Sequence, residues 1–423
     1  MHKFSLMVLF YCAVNFGFAQ SKITLEQCLD LSENHHPNAA NLPLIQQTAD
    51  LQVRLLNSNY LPQTSLGGQA TWQSEVTSLP ISLPNVSISP PPKDQYKATL
   101  DVVQNIWDGG VLAKQKEVTV ANAKAEEQKL VTDLYQIKEQ VSGLYFGILF
   151  AEKQIENAQI LQKDLESKSE KMRAAISNGT AIKSNLLAID AKRLEVNQLL
   201  TDAQKRRKSS VEALELLTGK SLGETTVFEL PSFVSTASQD ISRPELLLLE
   251  SQKSVLDINQ EMVKAKNLPK ISAFATGGYG KPGLNFLANS FGTYFIGGVN
   301  LKVPLSFLYS GSQSNEIQQI KISQQKIDTQ KESFILATKI KLSNQNQEIE
   351  RLESLVSTDA KILEIRKQIK QTAEAQLDNG IITASDFLTE LTNEDIAKQN
   401  SILHEVQLIQ AKFNLKIISG NLK

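Results

Sequence analysis

Histidine and cysteine are scarce, with four His and two Cys among 423 residues. That leaves little material for a zinc site or a thiol mechanism, so a histidine-, cysteine- or zinc-based enzyme is not expected; the sequence offers no catalytic set, and no enzyme, no cofactor and no metal site are expected. Neither sign of charge dominates, since 44 Lys and Arg stand against 45 Asp and Glu. A protein that grips nucleic-acid phosphate over a wide face carries a basic excess, and nucleic acid is excluded as a partner on that ground. Past the extreme N-terminus no run of 18 apolar residues occurs, so no transmembrane helix is expected. A hydrophobic share of 41% is nevertheless enough for a folded chain.

The first residues read as an address. Met1-His2-Lys3 gives a positive start, Leu6 to Phe18 is mostly apolar, and Gly17-Phe18-Ala19 puts small residues before a cut after Ala19. Residues 1–19 are therefore expected to be a secretory signal peptide. Cys12 leaves with it, and the remaining Cys28 has no partner for an intramolecular disulfide. Its neighbours in Leu25-Glu26-Gln27-Cys28-Leu29 make it a core residue of an apolar helix face.

The rest of the chain says the same thing twice. Asn178-Gly179 recurs as Asn379-Gly380, Leu217-Thr218-Gly219 as Ile418-Ser419-Gly420, and Gly110 as Gly311, each 201 residues further on. Asn59-Tyr60-Leu61-Pro62 recurs as Lys266-Asn267-Leu268-Pro269. A constant offset across several landmarks is the mark of an internal repeat. The reading is a first repeat over 20–220, with strands in about 62–108 and a tip near 178–180. A linker follows over 221–241. A second repeat covers 242–423, with strands in about 269–308 and a tip near 379–381.

Between the landmarks the long helices are periodic. Val131, Leu134, Ile137, Val141, Leu144, Ile148, Ala151 and Ile155 step by three or four, and Ile335, Leu342, Ile349, Val356 and Leu363 step by seven. Such stripes pack helices in coiled-coil fashion. A helix over the 67 residues from Gly110 to Asn178 would be about 100 Å long, and the return helix from Thr180 to Thr218 about 60 Å. The return path is thus two helices end to end, Ser242 to Lys266 completing one copy and Ile23 to Asn59 the other. Gly143 to Phe150 is apolar all round, which marks a zone buried on several sides.

The uncharged stretches alternate with period two. Leu66, Gly68, Ala70 and Trp72 form one set; Tyr96, Ala98, Leu100 and Val102 a second; Phe295, Gly297, Val299, Leu301 and Val303 a third. One apolar and one polar face per strand is the pattern of a transmembrane β-barrel. Aromatics gather here, and Trp72, Tyr96, Trp107, Tyr294 and Tyr309 are expected at the membrane interfaces, against outer-membrane lipid. Four strands cannot close a barrel, and an open edge cannot face lipid, so the chain must oligomerise.

In this order and with this offset, the landmarks resemble TolC-family outer-membrane efflux proteins. The carriers are Leu61-Pro62 and Leu268-Pro269, Trp107-Asp108-Gly109-Gly110, the two tip segments from Asn178 and from Asn379, and the opening Thr24-Leu25-Glu26-Gln27-Cys28-Leu29 with Asn34-His35-His36-Pro37. The resemblance covers essentially the whole chain after the signal. It implies an α+β membrane protein in which each repeat gives two transmembrane strands and long coiled-coil-like helices. It further implies a homotrimer with a twelve-stranded barrel on a helical periplasmic tunnel, in the outer membrane of a Gram-negative bacterium. The function implied is the passive exit duct of a tripartite efflux or type I secretion system. Its partners would be a periplasmic adaptor (membrane fusion protein) and an inner-membrane pump of the RND, ABC or MFS type. Asn178, Gly179, Asn379 and Gly380 would be the adaptor-contact tips. In the resembled family acidic residues near the second tip ring the closed end of the tunnel. The matching gate positions are Asp386, Thr389 where an acid is common, and Asn185 at the first tip. Ile382 stands where the family often has Arg, so one closing ion-pair network is expected to be missing. The residues themselves leave a second role open for Asp386, a favourable charge at a helix start.

Other groups read plainly. His35 and His36 point apart on a helix, His404 is alone and reads as a solvated helix residue rather than a ligand, and Lys205-Arg206-Arg207-Lys208 is a solvated helix face. Gly277-Gly278-Tyr279-Gly280 lacks the Lys-Ser/Thr of a phosphate loop. Two other readings were weighed against the duct. A periplasmic adaptor needs one hairpin between split β halves, against the doubling seen here. A secreted coiled-coil structural protein has no use for uncharged aromatic strands.

Overall fold

The computed structural model describes residues 22–77, 90–223, 225–231, 240–305 and 307–422. The signal peptide, Pro80 and Pro84 of the first strand loop, and 232–239 of the linker lie outside the described residues. In chain order the elements are β1 (Lys22–Ile23), α1 (Leu25–His35), a 3-10 turn (Pro37–Ala40), α2 (Asn41–Ser58), β2 (Gln63–Trp72), β3 (Asp94–Trp107), α3 (Val111–Tyr135), α4 (Ile137–Ser177) and α5 (Lys183–Thr218). There follow β4 (Val227–Phe228), α6 (Pro244–Lys266), β5 (Lys270–Lys281), β6 (Gly292–Lys302), α7 (Phe307–Ser310), α8 (Ser312–Asp378) and α9 (Ala384–Ser419). The chain divides into two compact units, one built from residues up to 36, 134–241 and from 339 on, the other from 37–133 and 242–338.

The first unit is helical, with one small parallel pair, β1 on β4. Thr24 starts α1 with a capping box, its hydroxyl accepting from Gln27 N at 3.2 Å while Gln27 Oε1 accepts from Thr24 N at 3.2 Å. The apolar zone expected around Gly143–Phe150 is the centre of this unit. Tyr145, Phe146 and Ile148 of α4 are fully buried, together with Ile23, Leu25, Leu214, Phe413 and Ile417. Tyr145 sets its ring edge-on to Phe228 at 5.5 Å. Its hydroxyl lies 3.0 Å from the Ile23 carbonyl and 2.7 Å from that of Glu229, so one phenol serves both strands. Cys28 is buried, as its helix face suggested.

Two helix expectations are corrected. The helix expected from Gly110 to Asn178 is interrupted at Gln136, whereas α8 runs unbroken over 67 residues. Gln136 keeps φ −65° and ψ −24°, so the backbone stays in the right-handed helical region across the break. Beside the break, Tyr135 donates its hydroxyl to the Ile417 carbonyl at 2.7 Å. The N-terminal helix expected over Ile23–Asn59 starts only at Leu25, Ile23 being in a strand, and it divides at Pro37–Ala40, where the resemblance of Asn34-His35-His36-Pro37 implied a break. A proline cannot donate to the preceding turn, which explains the break.

Polar side chains also depart from the expected pattern. His404 was expected on a solvated face, yet its Nδ1 lies 2.6 Å from Asp359 Oδ2 with both side chains largely buried. Arg207 leaves the solvated run as well. It pairs with Glu152 at 2.9 Å and donates to the Thr226 carbonyl at 3.3 Å. Its neighbours Arg206 and Lys208 stay exposed and pair along α5 with Asp202 and Glu212.

The second unit contains an antiparallel sheet in the order β2-β3-β5-β6. Asp108 turns the chain from β3 into α3. Its Oδ1 accepts from Gly110 N at 3.0 Å and its Oδ2 from Leu112 N at 2.7 Å. Gly109 is required there twice over, because its φ is +79° and a Cβ would sit 2.8 Å from the Ala265 carbonyl oxygen. Lys253–Asp328 at 2.7 Å and Lys331–Glu250 at 2.8 Å tie α6 to α8. No described helix is long and apolar enough to cross a membrane.

Candidate functional site

The two helix reversals share one geometry. After α4, Gly179 at φ +72° lets its N–H reach the Ile176 carbonyl at 3.0 Å and Thr180 N the Ala175 carbonyl at 2.9 Å. After α8, Gly380 at φ +70° gives Gly380 N to Leu377 O at 3.0 Å and Ile381 N to Gln376 O at 2.8 Å. This pair of bonds is the Schellman closure, which depends on a left-handed residue and favours Gly. Asn178 and Asn379 precede the glycines, and Asn379 also donates its amide to the Ala375 carbonyl at 2.8 Å. Beyond them Ile182 and Ile381 are 65% and 71% exposed, so each reversal presents an uncovered aliphatic side chain.

Behind the reversals the four helices share one apolar core. Leu161, Leu165 and Met172 of α4, Ile189 and Val196 of α5, Ala373 of α8 and Phe387 and Leu391 of α9 pack together. Lys168 of α4 enters this core. Its ammonium lies 2.7 Å from Glu374 and 3.3 Å from Asp378 of α8, and 5.4 Å from the centre of the Phe387 ring of α9. The sequence reading missed Lys168. Its signal was available, because the apolar stripe of α4 continues through Ala158, Leu161 and Leu165 to this lysine and then Met172. A charge on a buried stripe needs partners, and here they come from another hairpin. Lys370–Glu394 at 3.5 Å and Arg366–Glu390 at 3.4 Å join α8 to α9 nearby.

Asp386 and Thr389 lie one turn apart on α9 and line the same open groove of about 500 Å³, with Gln368, Thr372 and Gln376 of α8 opposite. Asn185 is not part of that groove. It is the third residue of α5, as Asp386 is of α9, but no cap forms at its end because Ile182 occupies the N-cap. At α9 the N-cap is Thr383, whose hydroxyl accepts from Asp386 N at 3.2 Å and lies 2.7 Å from Asp386 Oδ2. Thr383 N completes the box onto the same oxygen at 3.0 Å. The Thr383 hydroxyl, and after it the Thr383 backbone N–H, hold the Asp386 carboxyl below its ordinary value. Asp386 thus has the helix-start role left open for it, and it faces the groove as well. Thr389 donates to its own helix at Ser385 O, 2.9 Å away.

The sheet is the second part of the site. Its register puts Leu66, Leu100, Gly277 and Phe295 in one row, with Thr64, Val102, Ala275 and Gly297 in the next matching row. The separate alternations therefore fall on one face, which also carries Trp72, Tyr96, Ile271, Tyr279, Val299 and Leu301. Leu66 is 84% exposed and Phe295 71%, although both are large and apolar. The opposite face carries Ser65, Asp101 and Thr276 in one row. Asp101 accepts from Thr99 Oγ1 at 2.9 Å and from Thr276 Oγ1 at 2.6 Å.

Aromatics edge the apolar face. Tyr279 stacks on Phe291 at 5.4 Å and Tyr96 tilts toward it at 6.5 Å, at the end of the sheet where Trp72 lies. Trp107 pairs with Ile271 at the other end, after a register shift. Tyr294 departs from its expected place among them. It stands on the polar face, its ring covering Gly278, where a Cβ would collide with it. Tyr309, in α7, is exposed.

Residues 29–220 match the family model described as outer membrane efflux protein. Curated proteins provide no match. Solved structures do. The outer membrane protein VceC of Vibrio cholerae superposes with a TM-score of 0.68 at 15% identity, over 94% of this chain and 96% of that one. The CmeC outer membrane channel of Campylobacter jejuni gives 0.65 at 14% identity, over 94% and 85%. The MtrE outer membrane channel of Neisseria gonorrhoeae, in its open state, gives 0.67 at 17% identity, over 94% and 89%. At these identities the likeness concerns the fold.

Proposed function

We propose that this chain, which belongs to the outer membrane efflux protein family, is the outer-membrane exit duct of a tripartite efflux system, a passive conduit in a Gram-negative bacterium. The observation that carries the reading is the predominantly apolar face of the four-stranded sheet, whose one charged pair, Asp94 and Lys281, stands at its end beside Trp72 and Tyr96. Strands β2, of 10 residues, and β6, of 11, have the length a tilted membrane strand needs, about 9–11 residues. Large aliphatic groups left this exposed have a lipid-facing role, and the aromatics at the sheet ends suit the two headgroup levels. Trp72, Tyr96 and Trp107 are assigned to those levels.

β2 and β6 are edge strands, and an edge cannot face lipid. Three copies, each a repeated pair of strands and helices, close a barrel of twelve strands. The tips at Asn178-Gly179 and Asn379-Gly380, with exposed Ile182 and Ile381, would then meet a periplasmic adaptor, which connects the duct to an inner-membrane pump. Type I secretion would use the same geometry. Asp386 and Thr389, with Asn185 at the first tip, are the proposed constriction. Crosslinking of the purified protein in mild detergent tests the assembly. A three-chain species that resists dissociation is expected, and a monomer that stays soluble without detergent would sink the reading.

A further inference from the structure

The polar face of the sheet carries an imbalance of charge. Its register sets Lys270 of β5 directly opposite Lys302 of β6, on the face away from the apolar rows. Side chains so paired stand about 5 Å apart at Cβ, and like charges in that position repel. Lys281, on the other face, has Asp94 at 3.8 Å. Among the described residues Lys270 and Lys302 have no carboxylate within pairing distance. Asp108 follows Trp107, the partner of Ile271 in the ladder, but its two oxygens are engaged by Gly110 N and Leu112 N. Asp101 is the one carboxylate on the polar face of the strands, and Thr99 and Thr276 engage it. Lys97 adds a further cation to that face. One row in from the lysine pair, Asn105, Ser272 and Asn300 stand side by side on the same face.

We propose that Lys270 and Lys302, with Ser272, Asn105 and Asn300 behind them, form an anion-attracting station on the inner face of the duct. The inference rests on the duct reading, which makes the face opposite the lipid the lumenal one. In a trimer six ammonium groups would ring the lumen where the helices give way to the strands. A ring of fixed charge in a narrow aqueous passage concentrates counter-ions and sets which sign of solute passes. Amides and a hydroxyl beside the ammoniums supply hydrogen bonds to carboxylate, phosphate or sulfonate oxygens. The station therefore favours small organic anions at the sheet, in series with the opposite, cation-favouring charge of the Asp386 constriction.

The test uses the full-length protein in planar lipid bilayers, with reversal potentials measured in a potassium chloride gradient and block measured with inorganic tripolyphosphate. In the double variant Lys270→Gln/Lys302→Gln, the chloride-to-potassium permeability ratio is expected to fall about two- to five-fold and tripolyphosphate block to disappear. The charge-keeping double variant Lys270→Arg/Lys302→Arg should retain both properties. Should the double Gln variant not insert, Lys302→Gln alone is expected to shift the ratio in the same direction. Gln variants with the wild-type ratio and wild-type block would overturn the station while leaving the duct intact. A wild-type protein that gives no conductance at all would overturn the duct reading, and the station with it.

Discussion

Cys28 shows at the scale of one residue how burial sets reactivity. Desolvation pushes its thiol up to about 12, Lys220 opposes the shift and Glu26 adds to it. The thiolate is the nucleophile, so at pH 8 the folded protein should be alkylated by iodoacetamide roughly a thousand-fold more slowly than the protein in urea. Mass spectrometry of the labelled peptide reads this directly, and equal rates in both conditions would show that Cys28 is not in the core. Asp386 poses the opposite case, an exposed carboxylate with its affinity for protons lowered by Thr383. A depressed carboxyl pKa stabilises the fold above the unfolded value, and that contribution is lost as pH falls through the folded value. The helix-start role therefore fades only in acid. The constriction role is separable, because Thr383→Ala removes the cap and keeps the charge. Asp386→Asn should assemble normally yet weaken cation preference and block by multivalent cations in single-channel recordings, whereas Thr383→Ala should not. If Asp386→Asn matches wild type, the residue only starts a helix.

Elements end where glycine permits, and the described glycines differ in what surrounds them. Gly179 and Gly380 have open space where a Cβ would go, while a Cβ on Gly219, also at positive φ, would run into the His35 ring. Gly380→Ala should then cost only the left-handed penalty, about 1–2 kcal/mol. Gly219→Ala adds overpacking of about 1–3 kcal/mol. Thermal unfolding of the two variants should rank them in that order, and equal losses would contradict the packing around α5. The tips have a functional reading besides. Gly179→Leu or Gly380→Leu should lower efflux without preventing the proposed trimer, which drug-sensitivity assays at matched protein levels would reveal; unchanged sensitivity in both would count against adaptor docking there.

For the whole molecule the property that decides the proposed reading is which face of the sheet would meet lipid. Leu100→Lys puts a charge in the middle of the apolar face, where it should cost about 2–4 kcal/mol in each copy. Ser65→Lys puts the same charge on the polar face beside Asp101, its partner in the register. Insertion into liposomes should fail or weaken for the first and survive for the second. The reverse result would turn the sheet inside out, and the proposed lysine station with it.

Local signals in the chain were sufficient for the parts that obey local rules. Asn-Gly marks a reversal because glycine alone takes positive φ without strain, and both reversals have that geometry. Period-two alternation selects one face of a strand whatever lies beside it, and β2, β3 and β6 each overlap one of the three alternating stretches, while β5 lies in the uncharged stretch of the second repeat, where no alternation was read. Tertiary structure decided whatever depends on a partner distant in sequence. Cross-strand register is not a property of any one strand, yet it gathers the apolar sets on one face and places Lys270 against Lys302, whereas the place of Tyr294 opposite Phe295 follows from the alternation within β6 itself. Stripe polarity misled for the same reason. His404 and Arg207 look like solvated helix residues until Asp359 and Glu152, far away in the chain, arrive to pair with them, whereas the stripe of α4 marks Lys168 as buried and leaves only its partner Glu374 unnamed. A charge leaves water only when a partner offsets its desolvation, and periodicity within one helix cannot name that partner.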